Sequence, residues 1–246
     1  MPRLGLIAAM TQESAALLRQ INSSERFKLG ELSGRRFELS GQTCLLVNSG
    51  MGVRRASETA HNLVETAGVT TLISFGIAGA VEAELAIGDT ILPEAVCWLE
   101  EGKPGPRLPL GTWSDGARQA MAQALTTRGA HLYTGTAVTT GGAQMVAYQP
   151  GELLHPILEM ETAGIAQVAE QKGVPLLSIR AISDGPCAPI PYDMEEMMDE
   201  DANLRTGRLL LALLRQPKML LQFNGMLQNT RIAADNAAAA LVAALS

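Results

Sequence analysis

Cysteine and histidine are scarce in this 246-residue sequence, and neither occurs with the spacing of a metal site. Cys44, Cys97 and Cys187 are odd in number and widely spaced, and no two of them form a CxxC pair. None of the three histidines belongs to an HExxH or HxH motif. Zinc sites and disulfide frameworks depend on such spacings. We therefore predict free thiols in a reducing compartment, no metal and no cofactor.

The sequence also lacks an excess of positive charge and any long apolar run. Its formal net charge is −6 and its pI is about 5.2, whereas a protein that neutralises nucleic-acid phosphates is normally basic, so we expect no nucleic-acid partner. The opening stretch, MPRLGLIAAMTQES, has an apolar segment too short to span a membrane and no signal-peptide cleavage pattern. This indicates a cytoplasmic protein.

Apolar residues are plentiful, at 47% of the chain against 18% charged, which suits a large core rather than disorder. Short apolar runs that end in glycine or polar residues alternate with segments of helical periodicity. The predicted strands cover 3–10, 35–40, 43–50, 69–81, 88–100, 132–141 and 174–184, and the predicted helices cover 11–21, 115–128, 161–173 and a segment ending at Gly68. This alternation predicts an α/β fold with a largely parallel sheet, as one domain over residues 1–246.

Two residues predict details of these elements. Thr11 follows the first predicted strand and has the side chain of a helix N-cap. Pro93 lies inside the predicted strand 88–100, and since proline cannot donate a ladder hydrogen bond, it indicates an edge strand or a bend.

The C-terminal third, from about residue 204, is an extension of different composition. Residues 204–228 are rich in Leu and Met and are interrupted by Pro217, and an alanine-rich helix follows at 232–245. Apolar helical stripes are usually buried, so we expect these helices to cover a sheet face or another subunit. The alternative is an interfacial surface for a lipid-like substrate or a membrane.

The candidate catalytic and binding residues lie where predicted strands end. Glu13 follows the first strand, and the segments NSGMG (48–52), FGIAGA (75–80) and AISDGP (181–186) end three others, while EMET (159–162) opens a helix. Because ligands of open parallel sheets bind beyond the carboxyl ends of the strands, this shared location indicates a binding site.

The glycine turns at 48–52 and 75–80 allow backbone N–H groups to approach a ligand closely. Neither turn has the GxGxxG or GxxxxGK[ST] pattern, which argues against dinucleotide and P-loop sites. Arg54 and Arg55 follow Gly50 and Gly52 at a helix N-terminus. There they could hold an anion together with the turn, or they could be solvated surface arginines.

Asp184 closes an apolar strand ahead of Gly185 and Pro186. It could form a turn, or it could be a carboxyl group whose raised pKa lets it donate a proton. Arg180, four residues earlier on the same strand, is expected to share its face and to orient it by an ion pair.

Glu159 and Glu161 flank Met160 just after Pro156, which predicts an extended stretch that becomes helical near Glu161. In extended backbone the two carboxylates share one face. Glu161 could simply compensate the helix N-terminus. It could instead grip adjacent sugar hydroxyls, with Met160 packed on the apolar face of the sugar.

The segments GLIAAMTQE, NSGMG, SFGIAGAVEAELAIGDTILP and EMETAGIAQVAEQKGVPLLSIRAISD resemble, in that order, the nucleoside phosphorylase and nucleosidase superfamily over residues 3–185. The resemblance implies a three-layer α/β/α sandwich with a central mixed, largely parallel sheet. It also implies cleavage of the N-glycosidic bond between ribose and a base, and a homo-oligomer.

If the residue roles of that family apply to the matching positions here, Glu161 binds the ribose hydroxyls and Met160 lines the sugar. Asp184 then protonates the purine, and Glu13 activates water. The other substrate-binding candidates are Glu159, which could orient the Glu161 contact or bind the sugar itself, and Arg180, Ile77, Ala78, Gly79, Gln144 and Met145. Gln144 and Met145 belong to TTGGAQM (139–145), which the resemblance aligns with the strand end that contacts the base. Three positions depart from the family pattern: Ile77 replaces a Ser or Thr, Ser74 replaces the phosphate-binding arginine of hexameric phosphorylases, and Gln144 replaces an aromatic residue. The phosphate ligands then reduce to Gly50, Gly52 and Arg54.

SFGIAGA and the Leu-rich C-terminal region look most like the hopanoid-associated phosphorylase branch, which removes adenine from adenosylhopane. The first expectation is therefore phosphorolysis of a purine nucleoside, with inorganic phosphate as co-substrate. The alternatives are a phosphate-independent nucleosidase of the 5′-methylthioadenosine/S-adenosylhomocysteine type, favoured by Glu13, and a nucleoside-binding protein without activity.

Overall fold

The computed structural model describes residues 3–141, 152–186 and 217–246, with side chains in the last range from residue 224 onward. The strands are β1 Arg3–Ala8, β2 Glu25–Leu29, β3 Leu32–Leu39, β4 Gln42–Asn48, β5 Thr71–Ala80, β6 Thr90–Glu100, β7 Lys103–Pro104, β8 Leu108–Pro109, β9 Leu132–Thr139, β10 Pro156–Glu159 and β11 Leu176–Asp184. The helices are α1 Thr11–Leu18, α2 Val53–Glu65, α3 Asp115–Thr126, α4 Thr162–Lys172 and α5 Pro217–Leu245.

The strands form one mixed sheet with the order β10-β9-β6-β11-β5-β1-β4-β3-β2. Its middle is parallel, since β1 pairs in parallel with β4 and β5, and β5 pairs in parallel with β11. Antiparallel pairing occurs between β6 and β11 and across the β2–β3–β4 edge. β10 pairs in parallel with β9 and antiparallel with β5, so five strands close into a ring.

Helices cover both faces of this sheet and make the α/β/α sandwich that the sequence predicts. On one face, α1, α3 and α5 share a core cluster with the side chains of β1, β5 and β11. On the other face, α2 and α4 pack against a second cluster. β5 meets both clusters, which explains why its sequence is continuously apolar rather than alternating.

Within the described residues, the C-terminal helix α5 runs without interruption from Pro217 to Leu245, and proline fits at the first position of a helix because no N–H donor is needed there. The part of the expected helix pair that precedes Pro217 lies outside the described residues. The alanines of α5 between Ala233 and Ala240 are buried in the cluster with α1 and α3, which accounts for the alanine-rich composition. In the described part of the chain, no helix is long and apolar enough to cross a membrane.

Two predicted details are corrected. The N-cap of α1 is Met10, and Thr11 is the first helical residue, because the carboxylate of Glu13 accepts the Met10 N–H at 2.7 Å. β6 is not an edge strand, since it lies between β9 and β11. The predicted bend is there: the register with β9 shifts between Pro93 and Ala95, where a bulge accommodates the missing N–H.

Candidate active site

The topology brings together the ends of β1, β4, β5, β10 and β11, which carry most of the predicted site residues. β5 lies between β1 and β11 in parallel register, so the loops beyond all three strands open at one edge. α1, which carries Glu13, starts directly after β1, and α4 starts directly after β10. Glu13, Glu161 and Arg180, far apart in sequence, become neighbours there.

Glu13 is buried, at 2% exposure, and two backbone N–H groups hold its carboxylate. Oε2 accepts from Met10 at 2.7 Å, and Oε1 accepts from Ile77 at 3.0 Å. Burial raises the pKa of Glu13, while Arg180 and these backbone hydrogen bonds oppose the rise. The result is a fixed carboxyl group whose proton affinity lies above the ordinary value for glutamate, which suits a general base.

Arg180 is the cation at the centre of the cluster, at 1% exposure. Its Nη2 donates to Ser74 Oγ at 2.7 Å, Glu159 Oε2 at 2.9 Å and Thr162 Oγ1 at 2.9 Å, and lies 3.9 Å from Glu161 Oε2. The predicted ion pair with Asp184 is wrong. A register shift between Ile182 and Asp184 breaks the alternation of β11, and the buried guanidinium pairs with carboxylates of other elements.

Glu161, the N-cap residue of α4, accepts a hydrogen bond from the N–H of Gly52 at 2.9 Å through Oε1. Gly52 has φ of 95°, a left-handed backbone that glycine adopts without strain, and this turn aims its N–H at the carboxylate. Burial, and next the charge of Glu159, raise the pKa of Glu161 to about 7. The glycine turn 48–52 therefore holds the Glu161 carboxylate by a backbone hydrogen bond.

Glu159, the last residue of β10, accepts hydrogen bonds at both oxygens. Oε1 accepts from the Thr139 hydroxyl, and Oε2 accepts from the N–H groups of Glu161 at 3.0 Å and Thr162 at 2.8 Å. Oε2 also accepts from the Thr162 hydroxyl at 2.6 Å and from Arg180. The extended stretch predicted before Glu161 is thus β10, and its carboxylate faces into the protein.

Asp184 ends β11 next to Gly79 of β5 and is partly exposed. Burial raises its pKa, and the Ser183 hydroxyl, which donates to Oδ1 at 2.6 Å, opposes the rise. A carboxyl group with a raised pKa holds its proton to higher pH than an ordinary aspartate does, and such a group can act as a proton donor.

The predicted phosphate ligands Gly50, Gly52 and Arg54 have different partners in the structure, and Gly52 donates its N–H to Glu161. Arg54 is exposed and pairs with Glu58 one helical turn later, at 3.2 Å, because its position on α2 points to solvent. Arg55 lies against Gly50, where an added Cβ would be 3.1 Å from its Nη1. Ser74, in place of the phosphorylase arginine, is buried and accepts from Arg180.

The other predicted substrate-binding residues in the described part of the chain are buried or partly buried. Met160 and Ile77 are partly buried, while Ala78 and Gly79 are buried. Gly79 pairs with Leu158 of β10 and with Asp184 of β11, so it joins the strands that carry the site. Gln144 and Met145 lie outside the described residues.

Sequence reasoning missed the roles of three hydroxyl residues and one glycine. Thr139, Thr162 and Ser74 line the Glu159–Arg180 network, and Gly76 lies beside Glu13 and Arg180. The only sequence signal was proximity: Thr162 closes EMET, Thr139 opens TTGGAQM, and Ser74 and Gly76 lie in SFGIAGA.

The fold and these carboxylates at its strand ends define an enzyme of the nucleoside phosphorylase and nucleosidase class. The chain belongs to the phosphorylase superfamily, whose family model matches residues 3–215.

Curated relatives and solved structures agree with this membership. The chain is 29% identical over 229 residues to the 5′-methylthioadenosine/S-adenosylhomocysteine nucleosidase of Tolumonas auensis, covering 87% of this chain and 99% of the relative. It is 29% identical over 198 residues to the Aeromonas salmonicida nucleosidase of that name, covering 74% of this chain and 86% of the relative.

Among solved structures, the Neisseria meningitidis nucleosidase in complex with methylthio-immucillin-A matches with a TM-score of 0.69 and 20% identity, covering 99% of this chain and 98% of the other. The Colwellia psychrerythraea nucleosidase in complex with adenine matches with a TM-score of 0.71 and 19% identity, covering 99% and 94%. A mutant of Helicobacter pylori futalosine hydrolase matches with a TM-score of 0.69 and 16% identity, covering 99% of this chain and 98% of the other. At these identities the structures support the fold.

Proposed function

We propose that this enzyme hydrolyses the N-glycosidic bond of an adenosine-type nucleoside, with water rather than phosphate as the second substrate and without a cofactor. The observation that carries the proposal is Glu13, a buried carboxylate fixed by two backbone N–H groups beside Glu161 and Arg180. The nucleosidase alternative from the sequence therefore replaces phosphorolysis as the leading hypothesis.

Glu13 is placed to take a proton from the attacking water. Its carboxylate cannot rotate freely, because the Met10 and Ile77 N–H groups hold one oxygen each. Burial raises its pKa, so it binds the proton more tightly than an exposed glutamate does. Positioning and increased basicity are the two requirements for a general base.

Glu161 supplies the sugar contact. The N–H of Gly52 binds Oε1 of Glu161. No donor in the described part of the chain lies within hydrogen-bond distance of Oε2, so this oxygen can accept from ribose hydroxyls. Cleavage builds positive charge on the ribose, and a buried carboxylate stabilises that charge strongly in a low-dielectric site. The pKa of about 7 means that this stabilisation is complete only above neutral pH.

Asp184 supplies the proton for the leaving base. Burial keeps it protonated to a higher pH than an ordinary aspartate, and the departing purine carries negative charge that a proton relieves. Mere nucleoside binding needs no such acid, which argues against the non-enzymatic alternative.

The charge distribution disfavours phosphate. Glu13, Glu159 and Glu161 surround Arg180, and the arginine's Nη2 is already engaged by Glu159 and two hydroxyls. A phosphate dianion that entered this cluster would meet three carboxylates and one arginine that is already engaged. The repulsion between the phosphate and the carboxylates would cost on the order of several kcal/mol at low dielectric.

For the substrate, the relatives named above act on 5′-thio-substituted adenosines, and we extend that class to this chain. The test is to incubate the enzyme with adenosine, 5′-methylthioadenosine, S-adenosylhomocysteine and adenosylhopane, each with and without phosphate, and to follow free adenine. Release that is equal with and without phosphate supports hydrolysis. Release only with phosphate overturns it, and no release from any nucleoside overturns the enzymatic assignment.

Glu13→Gln should lower kcat about 100-fold or more, the usual contribution of a general base. Glu31→Gln, at an exposed position, is the matched control and should leave kcat unchanged.

A further inference from the structure

We propose that Glu159 is a positioning residue: it fixes Arg180 and the start of α4 so that Glu13 and Glu161 face the sugar, and it does not contact the nucleoside itself. From the sequence alone, Glu159 could either orient the Glu161 contact or bind the sugar itself. The inference rests on the proposed function and assigns the two glutamates of EMET different tasks.

The hydrogen bonds of Glu159 leave no room for a sugar hydroxyl. Its side chain is 1% exposed and receives five donors: the Thr139 and Thr162 hydroxyls, the Glu161 and Thr162 N–H groups, and Arg180 Nη2. Four of these donors reach Oε2, which is more than the two lone pairs of one carboxylate oxygen, and Thr139 covers Oε1. With 1% of the side chain exposed, neither oxygen faces the space that a sugar hydroxyl would enter.

Glu161 has the opposite pattern. One backbone N–H binds Oε1, and Oε2 lies 3.9 Å from Arg180, beyond hydrogen-bond distance. Of the two glutamates, the one whose second oxygen is open to a ligand is Glu161.

Glu159 holds the beginning of α4. The first N–H groups of a helix have no partner within the helix. Glu159 accepts those of Glu161 and Thr162, and the Thr139 hydroxyl, itself bound to Glu159, accepts that of Ala163 at 3.0 Å. Since Glu161 is the N-cap of this helix, its backbone direction depends on Glu159.

Glu159 also orients Arg180. Its carboxylate, Thr162 and Ser74 draw Nη2 toward α4. The Nη1 group remains on the side of Gly76 and Glu13, where an added Gly76 Cβ would meet both side chains. One anchored guanidinium thus serves Glu13 and Glu161, and it opposes the rise in pKa of both carboxyls.

The proposal is tested by measuring one enzyme variant and wild type with three nucleosides that differ in their ribose hydroxyls. kcat and KM are measured for wild type and Glu159→Gln with adenosine, 2′-deoxyadenosine and 3′-deoxyadenosine. A positioning residue predicts a fall in kcat of about 100-fold, as for a misplacement of roughly 1 Å, with KM changed less than about threefold. The factor should be the same for all three nucleosides.

Direct contact predicts a different result. If Glu159 binds a ribose hydroxyl, its substitution should cost much less with the nucleoside that lacks that hydroxyl, and KM should rise. That outcome overturns the proposal. Glu161→Gln is the matched comparison, since its penalty should shrink with the deoxynucleosides.

The pH profile gives a second readout. The Glu159 charge raises the pKa of Glu161, so the neutral amide in Glu159→Gln should move the acid limb of kcat/KM to lower pH. An unmoved limb would contradict the placement of the Glu159 charge beside Glu161, on which the proposal depends.

If Glu159→Gln does not fold, Thr139→Val removes one donor while keeping the charge. It should show the same substrate-independent loss at about tenfold, and a substrate-dependent loss would again overturn the proposal. Failure of the proposed function is distinguishable, because wild type would then release no base from any nucleoside.

Discussion

Gly76 is the position where one methyl group should disturb the active site most. A Cβ built on Gly76 would lie 2.7 Å from Nη1 of Arg180 and 2.8 Å from Cδ of Glu13, and would contact Glu13 Oε1. Both side chains are buried, so neither can move away into solvent. Gly76→Ala must therefore displace the carboxylate, the guanidinium or β5 itself.

The expected magnitudes follow from this geometry. Overpacking by one methyl group in a filled core typically costs about 1–3 kcal/mol of folding free energy. Displacing a general base by roughly 1 Å costs about 100-fold in rate. We therefore expect a modest fall in Tm and a much larger proportional fall in kcat, with nucleoside binding affected less.

The assay is adenine release from the best nucleoside, together with thermal unfolding of the same preparation. Gly116→Ala is the matched control, because Gly116 is an exposed residue of α3 whose added Cβ meets nothing within 4 Å, and it should change stability by less than about 1 kcal/mol. Wild-type kcat in Gly76→Ala would refute the claim that Glu13 and Arg180 act from their observed positions.

Three further predictions concern the ionisable residues of the site. Asp184→Asn should slow base release by about 100-fold or more while adenine affinity, measured by titration, changes little; intact turnover would show that Asp184 is not the acid. Glu161 has a folded pKa of about 7, above the ordinary 4.5, so its ionisation costs folding free energy as pH rises through this window. Glu161→Gln should therefore raise Tm more at about pH 8 than at about pH 5 while it lowers activity, and an equal Tm change at both pH values would contradict the assignment. Arg54→Ala should leave kcat/KM within about twofold with or without phosphate, because the pair that Arg54 makes with Glu58 is exposed; a selective loss of activity in phosphate would identify Arg54 as a phosphate ligand.

The sequence predicted the elements whose patterns are local. β5 and β11 appear as apolar runs, α4 follows the EMET motif, and Glu13, Glu161 and Asp184 could be placed at strand or helix ends. β2, with the sequence ERFKL, was missed because it is a mostly exposed edge strand without apolar alternation. The closure of β10 onto β5 has no sequence signal, since pairing partners about eighty residues apart leave no local pattern.

The wrong prediction at the site concerns side-chain direction. Arg180 and Asp184 were paired by strand alternation, which a register shift between Ile182 and Asp184 breaks. For Arg54 the sequence left an anion ligand and a solvated surface arginine open, and its exposed pair with Glu58 is typical of a surface arginine. The roles of Ser74 and Thr162 could not be predicted, because they depend on contacts with Arg180, which is more than a hundred residues from Ser74. The homo-oligomer and the cytoplasmic location stay predictions.

The most direct test of the central claim is the identity of the nucleophile. The reaction is run in water enriched in the heavy oxygen isotope, with phosphate also present, and the sugar product is analysed by mass spectrometry and phosphorus NMR. The account predicts a free sugar that carries the heavy oxygen at C1 and no sugar phosphate. A ribose 1-phosphate as the main product, with no heavy oxygen at C1, would contradict it.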